Sequence, residues 1–150
     1  MMEELLQKPC WVIDFLPEQV PADAAGQFFA VEKLYLQKNR QGDLRARFAE
    51  IILKVNCYYD IQVCTPEVED WVRNPAPARL YSRIRANTEP LCILLPQENA
   101  LFTLDRQDTC MAVYNPSESL LRLLERLATA AGLFLWQPPQ STQDEGQKSC

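Results

Sequence analysis

The stretch LCILLPQENALFTLDRQDTCMAVYNPSESLL, residues 91–121, decides how this chain folds. It holds three short apolar runs, LCILL (91–95), ALFTL (100–104) and CMAVY (110–114), separated by the polar connections PQEN and DRQDT. Connections of four or five polar residues between such runs suit antiparallel neighbours, so the stretch reads as a three-stranded meander. A helix signal follows directly. NPSE places Asn115 as N-cap, Pro116 at N1 and Glu118 at N3, the spacing of a capping box. Leu120, Leu124, Leu127 and Ala131 then form an apolar stripe that Leu121 and Ala128 widen, and Gly132 supplies the left-handed residue that ends a helix.

After that stop comes GLFLWQPP, residues 132–139, in which LFLWQ reads as one more strand, ended by Pro138 and Pro139. Two uses of this strand are open. Phe134 or Trp136 packs against the preceding helix, or the strand lies at a sheet edge where these two aromatics dock a partner.

Working back towards the start, CWVIDFL (10–16) reads as a strand and PEQVPADAAG as a turn with Asp23 as a cap. Ala24, Phe28, Val31 and Tyr35 recur at helical spacing, although residues 28–36 also alternate as a strand would. QKNRQGD (37–43) reads as a loop with Asp43 as the next N-cap. Leu44, Phe48, Ile51 and Val55 then mark a helix that leaves Arg45, Arg47, Glu50 and Lys54 to water. CYYDIQV (57–63) favours a strand, and TPEVEDWVRNPAP (65–77) is a proline-punctuated connection. Asn74 and Pro75 are expected to open a short helix through ARLYSRIRA. The expectation is an α+β fold in a single domain over residues 1–139. It has a mostly antiparallel sheet of five or six strands and three or four helices, with a disordered tail at 140–150.

Composition narrows the chemistry. The 150 residues carry 15 basic and 20 acidic side chains, a net charge of −5, which disfavours a protein that follows a phosphate backbone. Glu3 and Glu4 stand where a secretory leader carries positive charge. No apolar run is long enough to cross a bilayer, so a cytoplasmic location without membrane contact is expected. There is no histidine, which removes Ser-His-Asp and Cys-His catalysis and imidazole-ligated zinc. The six cysteines, at 10, 57, 64, 92, 110 and 150, form no CxxC pair and read as small apolar residues rather than as metal ligands. The four glycines are scattered singly and build no phosphate loop, so no cofactor or metal is expected.

Three functional readings survive. The first is a non-catalytic acidic binding module that recognises a more basic macromolecule, of inhibitor or immunity type, through Arg79 and Arg83 on one helical face or through Phe134 and Trp136. The second is a histidine-free enzyme that uses Asp14, Asp60 or a cysteine. The third is a small-ligand sensor with Trp11, Tyr58 and Trp136 around a cavity. The pieces WVIDFLP, LKVNCYYDI, YNPSESLL and GLFLWQPP resemble those of a group of small bacterial proteins of similar length. That resemblance implies a bacterial, cytosolic setting and brings no activity with it.

Overall fold

The computed structural model describes residues 2–106 and 108–139, with backbone alone at 38–42. The expected tail at 140–150 lies outside the described residues. In chain order the elements are α1 (Met2–Leu5), β1 (Cys10–Asp14), α2 (Phe28–Leu36), α3 (Lys38–Asn56), β2 (Gln62–Thr65) and β3 (Val68–Arg73). Then come α4 (Pro77–Ala86), β4 (Leu91–Leu95), β5 (Ala100–Leu104), β6 (Cys110–Tyr114), α5 (Glu118–Ala130) and β7 (Phe134–Trp136). All strands join one open antiparallel sheet in the order β3-β2-β4-β5-β6-β1-β7. The α+β class and the β4-β5-β6 meander agree with the sequence reading. The described residues hold seven strands and five helices rather than five or six and three or four.

The sheet separates two apolar layers. Residues directly opposite on antiparallel strands point to the same side, and successive residues alternate. Ile13, Val63, Ile93, Phe102, Met111 and Val113 therefore share one face, where Leu44, Phe48, Ile52, Leu80, Ile84, Leu120 and Leu124 of α3, α4 and α5 cover them. The other face carries smaller side chains. Leu5 of α1 packs with Cys64, Cys92, Leu94 and Leu101, and beside them Val12, Cys110 and Ala112 form a further cluster.

Four local expectations are corrected. The expected loop at 37–43 is helical from Lys38, because Asn, Arg and Gln cost a helix little and one interior glycine costs only about 1 kcal/mol. Residues 57–60 end α3 and turn, so the strand starts at Gln62 rather than Cys57. The connection at 65–77 contains β3, an edge strand whose residues are nearly all exposed and so show no apolar run. Finally, Asn74 and Asn115 are not N-caps. Both take a positive φ, of 42° and 60°, two residues before the caps proper at Ala76 and Ser117. The Ser117 hydroxyl accepts from the Leu120 amide at 3.1 Å, and short-range contact with Glu98 ties this cap to the β4-β5 turn.

Asn74 instead locks β3 onto β2. Its Oδ1 accepts from the Ile61 amide and from Asn56 Nδ2, both at 3.0 Å, while its Nδ2 donates to Asp60 at 2.9 Å. Its own amide donates to the Ile61 carbonyl at 2.9 Å. We expect Asn74→Ala to cost about 1–2 kcal/mol, as it removes these side-chain bonds and places an alanine at positive φ. Chemical denaturation that finds no loss would show that the clasp is decorative.

α2 is anomalous. Seven of its nine residues, FFAVEKLYL, are apolar, yet none is buried. Phe29 is 77% exposed, Val31 42% and Leu34 43%. An apolar helix of this kind ordinarily sits inside a core. Here it is attached through Tyr35, whose ring packs on Phe15 with centroids 4.7 Å apart, and through contacts with α3.

Candidate functional site

Asp14 is the last residue of β1 and an unusual one, a carboxylate only 8% exposed at the end of an apolar strand. It stands opposite Cys110 of β6 and Phe134 of β7, on the sheet face away from α3, α4 and α5. Trp136 is opposite Val12 on that same face, two residues along from Phe134. The chain then leaves β1 through Leu16, Glu18, Gln19 and Val20, and α2 brings back Phe28 and Glu32, one turn apart. These groups, with Asp108, Thr109 and Trp136, line a cleft of about 50 Å³.

Burial dominates the electrostatics of Asp14. Loss of hydration, with a smaller push from the nearby Glu32 charge, raises its carboxyl to about 6. Hydrogen bonding to the charged form works against that rise: the Phe15 amide donates to Oδ1 at 2.7 Å, and the Leu16 amide and the Trp136 indole also favour the carboxylate. The indole contribution is partial. Trp136 Nε1 is buried and meets no partner with ordinary hydrogen-bond geometry, so we treat its N–H as a dipole facing the carboxyl rather than as a made bond.

Behind the cleft lies Arg45, which is fully buried although helical spacing assigned it to water. It stands three, four and seven residues before Phe48, Ala49 and Ile52, which places it on the apolar face of α3. Nε donates to the Ile84 carbonyl at 3.0 Å and Nη1 to the Asp105 carbonyl at 3.2 Å, while Nη2 makes no hydrogen bond. Burial lowers its pKa to about 10, with Asp108 and Asp105 opposing the shift, so it stays charged at neutral pH. Arg45 thus joins the end of α4 to the β5-β6 turn that carries Asp108 and Thr109 into the cleft.

Of the residues singled out from sequence, Asp14 and Trp136 meet in this cleft, and Phe134 lies on the same face, 44% exposed. The strand reading of 134–136 holds, at the sheet edge. Leu135, rather than Phe134 or Trp136, joins the helix-covered core, since the alternation turns both aromatics to the opposite side. Asp60 is not brought to Asp14. It precedes β2, four inter-strand steps from β1, or roughly 19 Å across the sheet. It is held below its ordinary range by Asn74 and by Arg73, whose Nη2 is 2.8 Å from Oδ2. Neither Arg79 nor Arg83 lines the cleft. Arg79 is exposed, and Arg83 pairs with Glu89 at 3.0 Å. Trp11, Tyr58 and Trp136 do not gather round one cavity: Trp11 packs on the helix-covered face, Tyr58 is 70% exposed, and only Trp136 lines the cleft.

Among the described residues, no three cysteines or carboxylates are placed to hold a metal ion, and no helix is long and apolar enough to cross a membrane. No family model, curated protein or solved structure matches the chain.

Proposed function

We propose that the protein is a non-catalytic binding module that takes a cationic side chain of a macromolecular partner into the Asp14 cleft and covers α2 with the partner's apolar residues. The observation that carries this reading is the conjunction of a cleft lined by Asp14, Glu18, Glu32 and Asp108 with Trp136 and Phe28 and, on the same α2, an apolar surface left uncovered. Carboxylates and aromatic faces both attract a lysine or arginine head. The net charge of −5 speeds encounter with a basic partner.

A second reading has one observation in its favour. A carboxyl with a pKa of about 6 beside other carboxylates has the make-up of an acid-base pair. The size of the cleft favours the binding reading. Substrate pockets run to roughly 300–1,000 Å³, and a cleft of about 50 Å³ holds a side-chain head or a few waters.

The test is titration calorimetry with an amphipathic lysine-leucine peptide and with its glutamate-leucine counterpart. We expect the lysine peptide to bind in a salt-sensitive manner, and Glu18→Gln with Glu32→Gln to weaken it about tenfold or more. Equal binding of the two peptides, or no change in the double variant, would sink the proposal.

A further inference from the structure

Outside the cleft, the sheet brings together two thiols that its function does not use. Cys64 of β2 and Cys92 of β4 are direct partners in the antiparallel register, so both point to the same side. Both are free and buried, at 2% and 4% exposure. Opposed residues on antiparallel strands have Cα atoms about 4.5 or 5.5 Å apart, and disulfides span about 4.4–6.8 Å. We propose that Cys64 and Cys92 are a dithiol-disulfide couple, oxidised by low-molecular-weight disulfides and gated by α1.

The gate follows from what covers the pair. Leu5 packs on Cys64 and Cys92 from a helix of four residues. Such a helix has no stability of its own and opens locally far below the cost of global unfolding. Trp71 of β3 borders the cluster on the other side. The inference is independent of the binding proposal, since neither cysteine lines the cleft.

The chemistry balances with a disulfide oxidant such as oxidised glutathione. One cysteine thiolate attacks a glutathione sulfur, so a protein-glutathione bond forms, the glutathione disulfide breaks and one glutathione thiolate leaves. The second cysteine thiolate attacks the protein sulfur of that mixed disulfide, closing the Cys64–Cys92 bond and expelling the second glutathione. Two electrons pass to the oxidant, and the two cysteine protons end on the two departing thiolates. Burial, together with Glu69, pushes the Cys64 thiol up to about 11, against the pull of Arg83. Burial, Cys64, Asp105 and Glu69 push Cys92 up to about 12. Both are therefore slow near neutrality, and the rate rises about tenfold per pH unit as the thiolate fraction grows.

Cys57 supplies an internal control, because it is exposed and free. The folded wild-type protein is incubated with oxidised glutathione at pH 7 and pH 9, then alkylated and mapped by mass spectrometry. We expect Cys57 to carry glutathione and a peptide cross-link to join Cys64 to Cys92, faster at pH 9. Leu5→Ala should accelerate the cross-link about tenfold or more, and Cys64→Ser should abolish it. Free thiols at 64 and 92 at pH 9, with Cys57 glutathionylated in the same sample, would overturn the proposal. A cross-link that forms only in denaturant would do the same. The wild-type measurement at two pH values stands whether or not Leu5→Ala folds.

Discussion

Asp14→Asn is expected to stabilise the protein by roughly 3 kcal/mol at pH 7 and to leave it nearly unchanged at pH 4. The Asp14 carboxyl has a folded pKa of about 6, against a reference value of 3.8. Between those values the folded chain binds the extra proton and the unfolded chain does not. Stability therefore falls as pH rises through about 4 to 6 and stays low above that window. Asparagine keeps an oxygen to accept from the Phe15 amide and has no charge to bury beside Glu32. In a chain of this length the change corresponds to roughly 6–12 °C in melting temperature. Thermal melts of both proteins across the pH range give the answer, and parallel wild-type and variant curves would contradict it. The same substitution should weaken binding of the lysine peptide. A residue that costs stability where it sits, and helps when it binds, is the pattern expected of a functional carboxylate.

The opposite effect is expected at Arg45. Arg45→Ala should cost about 4 kcal/mol, from the cavity left in α3 and from the Ile84 and Asp105 carbonyls, which lose their donors. Arg45→Met separates these parts. It restores most of the stem packing but no donor, so about half of the loss should remain. If Arg45→Met is as stable as wild type, the buried guanidinium has no net structural role, as holds for some buried ion pairs replaced by apolar residues. Because Arg45 supports the turn bearing Asp108 and Thr109, Arg45→Met should also loosen peptide binding while the sheet remains intact.

The fold was legible where one residue pattern repeats over several turns or strands. The α5 stripe from Leu120 to Ala128, the α3 core face and the runs at 91–114 announce themselves through burial on one side. β3 did not, because an edge strand with Glu69, Asp70 and Arg73 has no buried face to write into the sequence. Cap positions slipped by two residues for a related reason. Asn before Pro reads as a helix start, whereas here it turns the chain at positive φ and leaves the capping to the following residues. Arg45 carried a signal that charge masked: its neighbours at three, four and seven residues are all buried.

The site was legible only in part. Asp14 stood out as a carboxylate within an apolar strand, and Trp136 as an aromatic in the last strand. Their meeting depends on β1 lying between β6 and β7, and no local pattern encodes that pairing. Glu32, Asp108 and Phe28 were invisible for the same reason. Each looks like an ordinary helix or loop residue until α2 and the β5-β6 turn converge on the end of β1.

That placement of β1 has a temporal consequence. A nascent chain emits residues 10–14 early, yet both neighbours of this strand emerge only after position 109, so β1 must wait unseated through most of synthesis. The wall contributed by Trp136 arrives last of all. A ribosome-stalled series of lengthening chains would accordingly acquire peptide affinity in one late step, long after the hairpins between β2 and β5 have paired.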